Sequence, residues 1–191
     1  MKLKLLFLFL AFPLAAQNFE IGLNVSSQSY SGSTYRNFYP VPDINNDYSS
    51  KIVAAARLGY ALVDMGPALF QVTVAYQPKL DTDLKPNGAF NYPNKLGSEY
   101  FGVGGMFNFN TTLAIGAGLD VRSERTTITS QGFPLNPTSN SYVRPWARLN
   151  VGYAAPSPVV KPFVNFEVAA PLVHKDDSAN VQVGIYAGIR F

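Results

Sequence analysis

The sequence predicts an all-β fold, an eight-stranded antiparallel up-and-down transmembrane β-barrel. Three observations support this prediction: an N-terminal leader typical of exported proteins, a period-two alternation of apolar and polar residues in eight segments, and connections that alternate between short and long. Together they divide the chain into a signal peptide, residues 1–17, and one barrel domain, residues 18–191.

The leader has the layout of a secretory signal peptide. Lys2 and Lys4 precede an apolar run from residue 5 to residue 14, and small residues follow it. This run is far shorter than the roughly 20 residues that a membrane-spanning helix needs. We therefore expect cleavage after Ala16 or Gln17 rather than a retained anchor. The chain has no cysteine, which excludes a lipoprotein anchor and disulfide bonds.

The composition is unusual for a soluble domain. Hydrophobic residues make up 47% of the chain and charged residues only 14%, whereas a soluble domain typically carries about 25% charged residues. Removal of the two leader lysines leaves 13 basic residues against 12 acidic ones. Because the mature chain is nearly neutral, we expect no nucleic-acid partner.

The first three alternating segments each have one apolar face. In the first, every second residue from Phe19 to Val25 is apolar, and the residues between them are polar or small. Lys51–Val63 repeats this pattern with Arg57 on the polar face. Ala68–Gln77 alternates most cleanly of all, so we expect these three segments to form the first three strands.

The next three segments carry most of the charge on their polar faces. In Glu99–Phe109 small residues occupy the polar face, although Gly105 blurs the pattern. Thr112–Arg125 alternates apolar residues with glycines and then with charged residues, and Tyr142–Tyr153 does the same with Arg144 and others. We expect strands four to six here.

The last two segments complete the set. Pro162–Leu172 exposes an apolar face opposite Asn165 and Glu167, and Val181–Phe191 ends the chain. Each of the eight segments approaches the roughly 9–11 residues that a tilted strand needs to cross a bilayer. The connections after segments two, four and six are mostly short, whereas the other connections are longer and polar, at Ser31–Ser50, Pro78–Ser98, Thr126–Ser141 and Val173–Asn180. Short turns on one rim and longer loops on the other are typical of outer-membrane barrels.

The end of the chain separates this interpretation from a soluble β-sandwich or a lipocalin-like carrier, which would also alternate. Counting back from Phe191, apolar residues occupy every second position, including Ile189, Ile185 and Val183. This ending resembles the C-terminal assembly signal of outer-membrane barrel proteins. The mature chain as a whole resembles the small OmpA/OmpX-type barrels, without the periplasmic domain that some of them carry. The resemblance implies localisation in a bacterial outer membrane, contact with outer-membrane lipid and insertion by the barrel assembly machinery.

Charged residues on the polar faces are candidates for a network inside the barrel. They are Arg57, Asp120, Arg122, Glu124, Arg144, Arg148 and Glu167, with Glu20 and Arg190 near the periplasmic end of the barrel. An eight-stranded barrel is only just wide enough for its own side chains, and buried charges must be paired. We expect Arg148 to face Glu167 directly across the hairpin of segments six and seven, with Arg57 and Asp120 extending the network. A narrow pore lined by these residues is the alternative.

Aromatic residues near the segment ends predict girdles at the two membrane interfaces. They are Tyr30, Tyr60, Phe70, Tyr76, Tyr100, Phe109, Tyr142 and Tyr153.

The pattern as a whole favours a non-catalytic structural or surface-interaction protein whose outer loops could bind an extracellular ligand. A small porin-like channel and an outer-membrane lipid-modifying enzyme are the alternatives. The enzyme would depend on His174, the single histidine, but no spacing around it supports a catalytic triad. The acidic loops include DTDLKPNG, which lacks the EF-hand register. We therefore expect no catalytic residue, no cofactor and no metal site.

Overall fold

A computed structural model of the protein describes residues 19–31, 48–84, 94–110, 113–130, 138–155, 157, 159–175 and 178–191. The expected signal peptide lies outside these residues. The strands are β1 (Phe19–Ser31), β2 (Tyr48–Asp64), β3 (Ala68–Leu84), β4 (Asn94–Asn110), β5 (Leu113–Ser130), β6 (Thr138–Ala154), β7 (Lys161–Pro171) and β8 (Ser178–Arg190). Each strand pairs antiparallel with its neighbours in sequence, and β8 pairs with β1, so the sheet closes into a barrel. The predicted fold class is confirmed. No helix in the described part of the chain is both long and apolar enough to span a membrane.

The barrel wall is apolar outside and polar inside. Outward residues form a continuous apolar belt of exposed side chains, for example Leu23, Val74, Leu119 and Leu149. The residues between them point inward and are mostly polar or charged, yet almost fully buried. A soluble sandwich or lipocalin-like carrier would bury its apolar face instead. The period-two pattern therefore places apolar residues where they cover the outside of the barrel.

The β2–β3 connection is a tight turn whose backbone requires glycine. The Met65 N–H donates a hydrogen bond to the Ala68 carbonyl over 2.8 Å, and Gly66 between them has a φ of +78°. The Gly66 N–H donates to the Asp64 carboxylate over 2.8 Å. Residues with a Cβ seldom adopt a positive φ, which makes glycine the favoured residue at this turn.

The four middle strands extend well beyond the predicted segments. β3, β4, β5 and β6 are 17 or 18 residues long, so residues 78–84, 94–98, 126–130 and 138–141 are strand rather than loop. The same holds for residues 31, 48–50 and 178–180 at the ends of β1, β2 and β8. Assigning these residues to loops was wrong, because they lie beyond the apolar belt where both faces of a strand can be polar. Period-two alternation does not mark such strands.

Above the belt the barrel wall divides. Pairing between β2 and β3 ends at Ala56 and Tyr76. Pairing between β6 and β7 ends at Trp146 and Pro171, beyond which the Leu172 N–H donates to the Pro145 carbonyl over 2.9 Å. The pairing of β3, β4, β5 and β6 with one another continues to their outer ends. These four strands form an outer sheet, and the pairing of β1 with β2 and with β8 likewise continues to Tyr30 and Ser31.

The β6–β7 hairpin differs from its predicted register by two residues. Arg148 pairs with Ala169, and Glu167 pairs with Asn150. The Ala155 N–H donates to the Pro162 carbonyl over 2.8 Å, which moves the centre of the turn one residue towards the C-terminus. An even shift keeps every side chain on its assigned face. The predicted direct facing of Arg148 and Glu167 was therefore wrong.

Candidate functional site

The barrel interior, here called the lumen, gathers the charged residues that the alternation singled out. Glu20, Arg57, Asp120, Arg122, Arg144, Arg148 and Glu167 all point inward and are at least 96% buried. Arg190 lies at the end of β8 and is partly exposed. Their side chains reach across the lumen to strands far apart in sequence.

Glu167 on β7 is bound directly by Arg57, which the sequence placed in the same network but not as the main partner of Glu167. The Arg57 guanidinium on β2 donates two hydrogen bonds of 2.7 Å to the two oxygens of the Glu167 carboxylate. The Asn24 side chain on β1 donates a third over 3.0 Å. Arg148 Nη1 lies 3.8 Å from the same carboxylate, an ion pair without a hydrogen bond. A two-pronged arginine–carboxylate contact is among the strong charged interactions, so Arg57 rather than Arg148 is the main partner of Glu167.

Arg148 instead binds Asp120. Its Nη2 donates to the Asp120 carboxylate over 2.7 Å and to the Thr73 hydroxyl over 2.8 Å. Arg122 shares this carboxylate at 3.3 Å. One aspartate therefore serves two guanidinium groups.

Arg122 is held mainly by groups without a full charge. Its guanidinium carbon lies 4.4 Å from the centre of the Tyr100 ring and 4.2 Å from that of the Trp146 ring. Its Nη1 donates to the Gln182 side-chain oxygen over 2.7 Å. Cation–π contacts of this kind stabilise a buried arginine when water is excluded.

Two further ion pairs lie towards the ends of the lumen. At one end, Glu20 binds Arg190 at 2.5 Å and accepts a hydrogen bond from the Tyr186 hydroxyl over 2.7 Å. At the other, the Glu124 carboxylate binds Arg144 at 2.7 Å and accepts the Trp146 indole N–H. Each of these pairs joins one acid to one base.

Several lumen residues were missed or assigned to the wrong side. Tyr30 and Tyr100 were predicted for the girdles, but both are buried in the lumen, where the Tyr30 hydroxyl lies 2.5 Å from that of Ser98. That prediction was wrong because it considered only how near a residue lies to the strand end, and not whether the residue belongs to the inward-facing or the outward-facing set. Lys51 is also buried and inward-facing. The alternation of inward and outward residues would have placed all three in the lumen; Lys51, for example, lies on the same face of β2 as Arg57.

The other predicted aromatics lie on the outer surface, except Tyr142, which shares the inward face of β6 with Arg144 and was also assigned to the wrong side. Tyr60, Phe70, Tyr76, Phe109 and Tyr153 are exposed on the outside of the barrel, and Tyr142 is partly buried. Phe19 and Tyr60 contact each other on adjacent strands, with ring centres 5.0 Å apart.

The residues of the expected assembly signal lie on and beside β8. Val183 and Ile185 are exposed on its outer face, and Ile189 is partly buried. Phe191 lies just beyond the strand, where its N–H donates to the Phe19 carbonyl over 2.8 Å. The last residue of the chain thus takes part in joining β8 to β1.

The structure describes only some of the residues that the enzyme and metal-binding alternatives would use. His174 is exposed in the segment after β7, and no group of three or more potential metal ligands occurs among the residues that the structure describes. The acidic residues Asp43, Asp47, Asp176 and Asp177 of the outer connections lie outside the described residues.

Neither a known family nor a curated protein matches the sequence. The fold does match solved structures. Ail, the attachment invasion locus protein of Yersinia pestis, is similar over 92% of this chain and 99% of its own, with a TM-score of 0.55 and 13% identity. Its complex with the heparin analogue sucrose octasulfate matches over 91% and 98%, with a TM-score of 0.53 and 12% identity. Neisserial surface protein A matches over 90% of this chain and 95% of its own, with a TM-score of 0.48 and 16% identity. The likeness to Ail is one of fold, that of a small eight-stranded barrel.

Proposed function

We propose that the protein is an integral barrel of a bacterial outer membrane with a non-catalytic, surface-interaction role. The apolar belt supports the membrane location, because a surface of exposed Leu, Ile, Val and Phe on every strand is stable in lipid rather than in water. The leader and the apolar ending of the chain support export and assembly into that membrane. Outer-membrane lipid and the barrel assembly machinery are the partners that this location implies.

The single observation that carries the interaction role is the outer sheet of β3, β4, β5 and β6. It continues beyond the belt, whereas the pairing of β2 with β3 and of β6 with β7 ends earlier. The backbone groups along a free strand edge can pair with an added strand, which is a common mode of peptide recognition. We therefore assign the ligand-binding role expected of the outer loops to the strands of the outer sheet as well.

The two edges of the outer sheet are not equivalent. The β3 edge contains Pro78 and an irregularity between Gln77 and Leu80, and its Lys79 and Asp81 form an ion pair of 3.5 Å. Proline, bulges and charges are the features that block edge pairing. The β6 edge reads TSNS from residue 138 to 141 and has none of them. We propose the β6 edge as the docking site for an extended segment of a partner protein.

A peptide library displayed on phage would test this role, with the barrel held in lipid nanodiscs. We expect selected peptides to lose at least tenfold in affinity, about 1.4 kcal/mol, when Ser139 and Ser141 are both replaced by lysine, which protects edges. Thr127→Lys, on the interior strand β5, is the matched control and should leave binding unchanged. Absence of enriched peptides, or equal loss in the control, would contradict the role. Outer-membrane fractionation with heat-modifiable gel migration tests the location separately.

The channel and enzyme alternatives receive less support. Contacts such as those from Arg57 to Glu167 and from Arg148 to Thr73 cross the lumen and favour a lumen that is blocked by side chains. Conductance in planar bilayers would favour the channel. Loss of a lipid modification in His174→Ala would favour the enzyme.

A further inference from the structure

The middle of the lumen holds more positive than negative charge. The middle cluster, defined as Arg57, Arg122, Arg148, Asp120 and Glu167, has three guanidinium groups and two carboxylates, and every member is at least 96% buried. Glu167 is bound by Arg57, and Asp120 is shared by Arg148 and Arg122. The cluster therefore carries a net charge of one positive unit.

The ends of the lumen do not supply the missing negative charge. Glu20 is bound to Arg190, and Glu124 is bound to Arg144. Each of these acids already has a base of its own. The excess therefore stays in the middle cluster.

This excess lies at the level of the apolar belt. Leu119 and Val121, the neighbours of Asp120 on β5, are exposed on the outside, as is Leu58 beside Arg57. A buried ion without a counter-charge is strongly destabilising, and a surrounding bilayer leaves little water to compensate it. The Tyr100 and Trp146 rings offset part of the charge of Arg122. They bring no negative ion into the cluster.

The cluster also has unused hydrogen-bond donors. Arg148 Nε and Nη1, Arg57 Nε and Arg122 Nε are buried and have no hydrogen-bond partner. The hydroxyl of Ser26, which points into the lumen beside Asn24, is likewise buried and unpartnered. Two acceptors without partners, the side-chain oxygens of Asn150 and Asn165, lie on β6 and β7. Asn150 is one inward position from Arg148.

We infer that the middle cluster binds one small monovalent anion of the chloride class, with Arg148 as its main ligand. Arg148 has two free donor atoms, lies between Asp120 and Glu167, and its Nη1 is 3.8 Å from the nearer oxygen of Glu167. A single negative ion neutralises the cluster and accepts hydrogen bonds from N–H groups that otherwise have no acceptor. A halide suits such a site because it has no preferred geometry and can accept from several donors.

Urea unfolding of the purified barrel in lipid vesicles tests the site. Chloride would be exchanged for gluconate, a large anion, at constant ionic strength. We expect the unfolding midpoint to rise with chloride concentration and to level off, as binding to the folded state alone requires. Arg148→Gln balances the cluster and should remove this response. Arg190→Gln, which disrupts a pair outside the cluster, should retain it.

A second variant covers the possibility that Arg148→Gln does not fold. Thr73→Asp places a fixed carboxylate where the Thr73 hydroxyl now accepts from Arg148, and should make stability independent of chloride. Crystals grown in bromide should show an anomalous peak beside Arg148 in the parent protein and none in Thr73→Asp. A midpoint that responds equally to chloride and gluconate, or bromide crystals without a peak in the lumen, would overturn the inference.

Discussion

Replacing Glu167 by glutamine should destabilise the barrel more than replacing its partner Arg57 does. The carboxylate accepts two hydrogen bonds of 2.7 Å from Arg57 and one of 3.0 Å from Asn24. Glu167→Gln keeps the size of the side chain but leaves three guanidinium groups with a single carboxylate. Since unpairing a buried ion costs about 3–5 kcal/mol, we expect a loss of about 4 kcal/mol in the free energy of unfolding.

Arg57→Gln should cost less, for a reason visible in the geometry. It leaves two guanidinium groups and two carboxylates in the middle cluster, and Arg148 already lies 3.8 Å from Glu167. With a replacement base so near, we expect a loss of about 2 kcal/mol, at the level of one or two charged hydrogen bonds. The difference between the two variants thus follows from the charge excess and not from the number of bonds broken.

Urea unfolding in lipid vesicles would measure both losses, with Trp146, the single tryptophan, as the fluorescent reporter. A double-mutant cycle on Arg57 and Glu167 should give a larger coupling energy than one on Arg148 and Glu167. An equal or larger loss in Arg57→Gln would refute the reasoning. So would additive effects of Arg57→Gln and Glu167→Gln.

Three further predictions concern the belt, the turn and the chain end. Val74→Arg and Leu119→Arg each place a charge on the apolar belt and should cost about 2–4 kcal/mol of stability in vesicles; no penalty would show that the outward face is misassigned. Gly66→Ala should cost about 1 kcal/mol in thermal unfolding through its positive φ, whereas Gly66→Asn should be milder because asparagine tolerates that conformation; a larger loss in the asparagine variant would argue against backbone strain. Deletion of Phe191 should lower the amount of protein in the outer-membrane fraction while export continues, and undiminished assembly would contradict a role of this residue in targeting.

The alternation of residues predicted the strands and their faces, because a strand has a period of two and a barrel wall has two different sides. Arg144 and Arg148 could be placed inside from this pattern alone. The same pattern could not fix which residues meet across the lumen. The Arg57–Glu167 pair joins β2 to β7, and its formation depends on the tilt and stagger of all the strands between them.

The register and the outer sheet were less predictable for local reasons. A shift of two residues leaves every face unchanged, so the hydrophobic pattern could not distinguish Ala169 from Glu167 as the neighbour of Arg148. Above the belt, both faces of a strand can be polar, and segments such as residues 138–141 resemble a loop in composition. Turn chemistry and polar content are poor guides there.

The way in which the interior ions are paired also constrains how the chain can enter a bilayer. The β5–β6 hairpin contains its own counter-charges, since Asp120 and Glu124 meet Arg148 and Arg144 within it. Glu20 and Arg57, by contrast, find their partners on β8 and β7, the last strands to be synthesised. A sheet inserted into the bilayer before β7 and β8 are added would therefore leave charged side chains without partners in a low-dielectric environment. We therefore expect the barrel to close as it enters the bilayer, because only β7 and β8 supply the partners of Arg57 and Glu20.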